Sequence, residues 1–321
     1  MEFDLIARIR ARAASRPDVE LGIGDDAAIV RVPDGLRLVL ATDTLNAGVH
    51  FPAGTVPADI GWKALAVNLS DLAAMAAEPA WCTLSLSLPQ ADAAWLDGFL
   101  DGFLDLAARH GVALVGGDTT RGPLSVCVTA HGLVAPGRAL RRGGAMAGDE
   151  VWVTGTLGDA AAALALAGTG AAAAAGPQAA RELRRRLDRP EPRVGAGRAL
   201  AGLASACIDV SDGLLADLGH VCAAGGVGAE VALDALPASA ALIALFPQRA
   251  RRALQARGGD DYELCFTAPV SRRAAIADAL AGAGVAATRI GAIVAGDRVR
   301  ALDAAGAEWV ADRAGYQHFE G

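Results

Sequence analysis

Apolar positions along the chain follow two spacings, one helical and one strand-like, and the two alternate from end to end. Phe3, Leu5, Ile6 and Ile9 keep helical spacing and predict a short amphipathic opening helix over 3–13. Residues 28–32 and 36–42 read as strands joined by Pro33-Asp34-Gly35, a hairpin signal. The second of them is expected to deliver Thr42-Asp43-Thr44 at its end. A long helix opens at Pro57 and runs to Ala77, where Glu78-Pro79 stops it. A strand over 83–88, a helix over 92–109 and a buried strand over 112–115 come next. That last strand is expected to turn at Gly116-Gly117-Asp118-Thr119-Thr120-Arg121-Gly122, before a strand over 124–134.

The second half repeats the alternation. It predicts a strand over 150–154, an alanine-rich helix over 159–168 and a low-complexity Ala/Gly loop or frayed helix over 169–180. Arg189-Pro190-Glu191-Pro192-Arg193 reads as a rigid extended piece before a helix over 195–205. A short buried strand then ends in Asp209-Val210-Ser211-Asp212-Gly213. Helices over 213–224, 238–256 and 271–283 alternate with strands over 228–233, 264–267, 286–294 and 298–302. The pattern is α/β with mixed sheets. A link near Gly143–Asp149 divides it into domains of 1–143 and 144–321.

Composition and local pattern sharpen this picture in five ways. At 321 residues, 53% hydrophobic and 20% charged, the chain is globular and long enough for two cores. A net charge of -7 with no basic block argues against a nucleic-acid partner. Lys63 is the sole lysine and sits in Gly-Trp-Lys-Ala-Leu, which excludes a Walker-type phosphate loop. Cys82, Cys127, Cys207, Cys222 and Cys265 are scattered and form no Cys-x-x-Cys pair, so they read as thiols in a reducing compartment. With no signal-peptide pattern and no apolar run of membrane length, the expectation is a soluble, cytoplasmic protein.

The chemistry is carried by carboxylates at glycine-rich segments. Gly22-Ile23-Gly24-Asp25-Asp26 sets two acids side by side, whose repulsion a hard cation would relieve. Asn68 and Asp71 are three apart on one helix face, in an apolar neighbourhood where a carboxylate is costly unless paired or metal-bound. Asp43, Asp118, Asp209, Asp212 and Asp260 complete the set. Arg138, Arg141 and Arg142 form a small basic cluster in a glycine-rich link, a candidate phosphate clamp. No Ser–His or Cys–His pair stands out. Several acids that each lend oxygens to Mg²⁺ bridging phosphates is a pattern of phosphoryl transfer without a Walker loop.

Seven segments together resemble the thiamine-monophosphate kinase family. They are Gly22-Ile-Gly-Asp-Asp26, Thr42-Asp-Thr-Leu45, the Lys63–Met75 stretch, Gly116-Gly-Asp-Thr-Thr-Arg-Gly122, Ile208-Asp-Val-Ser-Asp-Gly213, Gly258-Gly-Asp-Asp-Tyr-Glu-Leu264 and Gly315-Tyr-Gln-His-Phe319. The resemblance runs from Phe3 to Phe319 and is weakest over 165–190. It implies the two-domain fold of the superfamily that includes aminoimidazole ribonucleotide synthetase, with N-terminal domains pairing into a β-barrel across a homodimer and the C-terminal domain completing the active site. It implies phosphorylation of thiamine monophosphate (TMP) by ATP, in line, with no general base. Residue by residue, it implies that Asp26, Thr42, Asp43, Asp71, Asp118, Asp209 and Asp212 hold several Mg²⁺ ions, with Asp71, Asp118 and Asp212 central to transfer. It assigns Gly117, Asp118, Arg142 and Ser211 to ATP, and His50, Asp260 and Tyr316 to TMP, with K⁺ a candidate further ion. Many members carry Glu where this chain has Asp260, a reach shorter by one methylene. Two rival readings are a sister enzyme of the superfamily with another acceptor, and a non-catalytic Mg²⁺–nucleotide-binding regulator.

Overall fold

The computed structural model describes residues 2–167, 176–310 and 315–316. The chain divides into two compact units, one of 1–72 and 77–137, the other of 73–76 and 138–321.

The first unit runs α1 (Glu2–Arg12), β1 (Val19–Leu21), β2 (Ile29–Val30), β3 (Arg37–Asn46), α2 (Pro57–Ala74), β4 (Glu78–Leu88), α3 (Ala93–Arg109), β5 (Ala113–Arg121) and β6 (Ser125–Val134), the end of α2 belonging to the second unit. Its sheet has the order β3-β6-β4-β5, antiparallel except for the parallel β4–β5 pair. Asp92 caps α3 by accepting from the Trp95 N–H, and Phe99 and Phe103 stack along the buried face. The two helices meet at glycines: a Cβ on Gly61 would lie 2.1 Å from the Phe99 carbonyl oxygen, and one on Gly102 1.7 Å from that of Ala58. Close approach of the backbones therefore excludes any side chain at either position. The small β1–β2 pair lays Val19, Ala28 and Val30 over Trp81, Ala113 and Val115.

Four local expectations for this unit change. The turn at Pro33–Gly35 forms, but it joins no hairpin: β2 pairs with β1, and β3 pairs with β6 along its whole length. Thr42-Asp43-Thr44 lies inside β3 rather than at its end. The segment 116–121 is no turn; it continues β5, opposite 83–88 of β4, after a register shift at Cys82/Thr83. Helix α2 stops at Ala74, and β4 starts at Glu78, so Pro79 stands inside a strand. It is tolerated because β5 takes up pairing only from Trp81, and no second neighbour needs the missing N–H.

The second unit runs β7 (Glu150–Thr154), α4 (Asp159–Ala167), α5 (Pro177–Asp188), α6 (Val194–Leu200), β8 (Ala206–Asp209), α7 (Leu214–Gly225), β9 (Gly228–Ala232), α8 (Ala240–Leu245), α9 (Gln248–Arg257), β10 (Leu264–Ala268), α10 (Arg273–Gly282), β11 (Ala287–Val294) and β12 (Val299–Leu302). Its sheet order is β12-β9-β11-β7-β10-β8, antiparallel except for β12–β9. Helix α7 sends Leu214, Leu218 and Val221 into the core formed with Val151, Val153, Ile208 and Ile293. The single helix expected over 238–256 is two, because Pro247 cannot supply the N–H that continuity requires and instead opens α9. Of the low-complexity loop expected over 169–180, residues 169–175 lie outside the described residues, while Pro177 begins α5. The tail residues Gln317, His318 and Phe319 also lie outside them. Among the described residues no helix is long and apolar enough to cross a membrane.

Candidate active site

In the first unit the candidate residues fall into two groups. Thr42 and Asp43 are neighbours on β3 and so face opposite sides of the sheet. Thr42 Oγ1 donates to Thr129 Oγ1 at 3.0 Å, and the Asp43 N–H donates to Asn68 Oδ1 at 3.1 Å. Asn68 is fully buried on α2, and its Nδ2 donates to the Ala64 carbonyl at 3.0 Å. It thus ties the backbone at Asp43 to the helical turn that carries the half-buried Asp71. His50 follows β3; its Nδ1 accepts from the Asn46 N–H at 3.0 Å, and its carbonyl accepts from the buried Lys63 Nζ at 3.0 Å. The lone lysine is therefore part of the scaffold under the His50 loop.

Gly117 and Asp118 stand at the other edge of the sheet, on β5. Asp118 is exposed, opposite Ser85. A Cβ on Gly117, where φ is +150°, would lie 1.8 Å from the Leu84 carbonyl oxygen, so only glycine fits. Beside them lies a cleft of about 90 Å³ lined by Ile6, Ile9 and Ile23, which brings the Gly22–Asp26 loop to the same place. Asp25 and Asp26 are exposed at the turn between β1 and β2, with the Asp26 N–H donating to Asp25 Oδ1 at 2.8 Å. The structure does not bring Asp43 next to Asp118. Strands β6 and β4 separate them, a span of roughly 14 Å at ordinary strand spacing.

In the second unit four candidates converge on one loop, 210–213. The N–H of Asp260 donates to the Ser211 carbonyl at 2.8 Å, and that of Tyr316 to the Asp212 carbonyl at 3.0 Å. Asp209 is buried at the end of β8; Ser211 and Asp212 are half-buried. Asp260 holds a left-handed φ of +68°, unusual for a residue with a side chain, and Tyr262 Oη donates to its Oδ1 at 3.0 Å. Gly259, Tyr316, Phe246, Ala250, Leu254 and Arg257 line an open cleft of about 530 Å³ next to this loop. Arg142 is exposed in a short 3₁₀ turn; of its two basic neighbours, Arg138 is committed to the Ala201 carbonyl at 2.7 Å.

Several residues that matter to this arrangement were not candidates from the sequence. Asp217 is buried beneath loop 210–213; burial, then the charges of Asp209 and Asp212, push its carboxyl up to about 7. Glu263 is fully buried between Arg186 and Arg193. Asp261 is buried, accepts from the Gly158 N–H at 2.7 Å through Oδ2, and among the described residues has no hydrogen-bond partner at Oδ1. Asp217 lies inside a predicted helix, and Asp261 and Glu263 just ahead of a predicted strand, where nothing local announces that an acid will be buried.

Burial pushes the Asp261 carboxyl well above its ordinary value, so it holds its proton to higher pH in the folded chain than in the unfolded one. A raised carboxyl favours the folded state at low pH, and that contribution declines as pH rises past the unfolded value near 4. Asp261→Asn keeps an oxygen for Gly158 and removes the ionisation. It is expected to leave Tm unchanged at about pH 4 or below and to raise it progressively above that, by a few degrees near pH 8, in a thermal-melt series. A pH-independent difference would contradict this assignment.

The donor set suits Mg²⁺: carboxylate and hydroxyl oxygens dominate it. Among the described residues no three His, Cys, Asp or Glu side chains enclose a single ion.

Residues 24–134 match the AIR synthase related protein N-terminal domain, and residues 146–303 the corresponding C-terminal domain. Fold and site therefore define an AIR synthase-related two-domain α/β protein. The thiamine-monophosphate kinase of Escherichia coli is 49% identical over 321 residues, covering 99% of this chain and 98% of that one. The crystal structure of thiamine-monophosphate kinase from Stenotrophomonas maltophilia superposes with a TM-score of 0.88 at 55% identity, covering 94% of this chain and 96% of that one. The structure of AaThiL complexed with AMPPCP and TMP superposes at 0.78 with 31% identity, covering 99% and 96%. The chain belongs to the thiamine-monophosphate kinase family.

Proposed function

We propose that this chain transfers the γ-phosphoryl group of ATP to TMP, giving thiamine diphosphate and ADP, in the cytoplasm. The observation that carries the reading is the full-length identity to the Escherichia coli kinase. It is supported by the relative solved with an ATP analogue and TMP.

The nucleophile is a phosphate oxygen of TMP, already anionic near neutral pH, so no general base is required. What opposes reaction is repulsion between two polyanions. Asp26, Thr42, Asp43, Asp71 and Asp118 in the first unit, and Asp209 and Asp212 in the second, would hold Mg²⁺. Bound Mg²⁺ neutralises phosphate charge and orients the transferred group. The exposed Arg142 guanidinium adds a charge-assisted clamp on phosphate. Gly117 lets a phosphate approach the backbone without a side chain in the way, and Ser211 donates a hydroxyl to ATP. His50, Asp260 and Tyr316 hold TMP. The open cleft beside Tyr316 takes its aromatic rings, Tyr316 supplying a stacking face. Positioning and fixed electrostatics then account for the acceleration.

An assay with ATP, TMP and Mg²⁺ tests the reading. ADP and thiamine diphosphate are expected in equal amounts and are lost on chelation. ADP without thiamine diphosphate would assign the chain to a sister reaction, and ATP binding without turnover to a regulator.

We further infer a homodimer in which β3 edges close a barrel. Strand β3 is a sheet edge, and it exposes Leu38 by 41% and Leu40 by 61%. Exposed apolar side chains on an open edge call for a partner. Leu40→Lys is expected to shift sedimentation from dimer to monomer; a dimer that persists unchanged would overturn the assignment.

A further inference from the structure

Loop 210–213 is held from both sides. Its carbonyls accept from residues remote in sequence: Val210 from the Tyr262 N–H at 2.9 Å, Ser211 from Asp260, and Asp212 from Tyr316. Its amides point the other way. The N–H groups of Ser211, Asp212 and Gly213 all donate to one oxygen, Asp217 Oδ2, at 3.1, 3.1 and 3.0 Å. The Asp217 N–H closes the turn by donating to the Gly213 carbonyl at 3.0 Å. Asp217 sits in the first turn of α7 and is nearly inaccessible.

We propose that Asp217 is a positioning residue for phosphoryl transfer. Its carboxylate gathers three consecutive amides and so fixes the direction of the carbonyls and side chains between them. One clamp thereby sets the metal-side acids Asp209 and Asp212 and the substrate-side residues Asp260 and Tyr316. The proposal rests on the roles assigned to those four residues above. A carboxylate accepting several backbone N–H groups at a helix start is a strong local constraint, and this one is spent on a loop rather than on extending the helix. Gly213 is required for the same geometry: its φ is +123°, and a Cβ there would lie 2.5 Å from the Arg257 carbonyl oxygen.

A helix cap alone would affect stability and nothing else. The test therefore reads ligand constants alongside Tm. Asp217→Asn keeps the shape and one acceptor oxygen; Asp217→Ala empties the cradle. Both are expected to weaken TMP binding and Mg²⁺-dependent ATP binding in calorimetry by about tenfold or more, as loss of a supporting residue does at metal sites. The Mg²⁺ concentration for half-maximal activity is expected to rise in parallel. Formate should restore part of the activity of Asp217→Ala, because three amides still converge on the vacated position. Wild-type ligand constants in Asp217→Asn, with only Tm lowered, would overturn the proposal, as would an Asp217→Ala enzyme indifferent to formate. Asp212→Asn serves as the control. If it raises the Mg²⁺ requirement while Asp217→Asn does not, the positioning role alone fails. If it leaves the requirement unchanged, the metal-side assignment fails and takes this proposal with it.

Discussion

Asp71→Asn is expected to lower kcat by roughly 10²–10³-fold while leaving the fold intact. The carboxylate is half-buried on α2, and Leu69, Leu72 and Ala73 around it are fully buried. A carboxylate in such a place is a hard oxygen ligand for the proposed Mg²⁺, and its charge is what the metal would use. Asparagine has the same size and can accept hydrogen bonds, so packing changes little. The neighbouring brace remains, since Asn68 still bonds to the Asp43 N–H and to the Ala64 carbonyl. The loss should therefore appear in kcat and in the Mg²⁺ dependence, with circular dichroism and Tm near wild type. Activity within twofold of wild type would remove Asp71 from the metal set.

The second large effect is on stability. Glu263→Gln is expected to destabilise the protein by about 3–5 kcal/mol at neutral pH, measured by urea denaturation. Glu263 accepts from Arg186 Nη2 at 2.7 Å, Arg193 Nε at 2.6 Å and Thr154 Oγ1 at 2.7 Å, with no exposed surface. The neutral amide would take the hydrogen-bonded counter-charge from Arg193, leave Arg186 only its longer pair with Asp159 at 3.8 Å, and aim an N–H₂ at donors. Gly155 leaves no room for adjustment, because even a Cβ there would sit 2.1 Å from Glu263 Oε1. Burial pushes the Glu263 carboxyl up, but Arg193, Arg186 and Thr154 outweigh it and hold it below its ordinary value. A depressed carboxyl contributes stability above its unfolded value, near 4.3, and loses it as pH falls through the folded value. The deficit of Glu263→Gln should thus be widest near neutrality and shrink below about pH 4. A deficit that is constant across that range would show that the charge is not what holds the site.

Both residues lie in segments quoted for the family resemblance, yet only one of them was legible as chemistry. Asp71 stands out in an apolar helix pattern, where a carboxylate interrupts the hydrophobic spacing. Glu263 sits at the mouth of a strand between Tyr262 and Leu264, where one acid looks like an ordinary edge residue. Its burial between Arg186 and Arg193 depends on partners 77 and 70 residues away. Asp217 falls inside the helix expected over 213–224, and nothing local marks the three amides it collects.

The same division runs through the fold. Helical and strand spacing located α3, β6, β7, α7, β9 and β10 to within a residue or two, since each is set by the side chains it must bury on one face. Pro247 marked a helix break in plain view, which the apolar periodicity on either side concealed. Other features had no local determinant. Pro33-Asp34-Gly35 specifies a turn but not which strands pair, and β2 went to β1 while β3 went to β6. Gly116-Gly117 reads as a turn by composition, yet in β5 it lets backbone meet backbone against β4. Composition and periodicity alone determined most element types, the abundance of acidic oxygen donors at glycine-rich segments and the absence of a Walker loop, because these depend on residue type and short-range spacing. Strand pairing, the separation of Asp43 from Asp118, and the gathering of Ser211, Asp212, Asp260 and Tyr316 around one loop were decided by tertiary structure. They rest on hydrogen bonds and close contacts between residues far apart in the chain, where local propensity is silent.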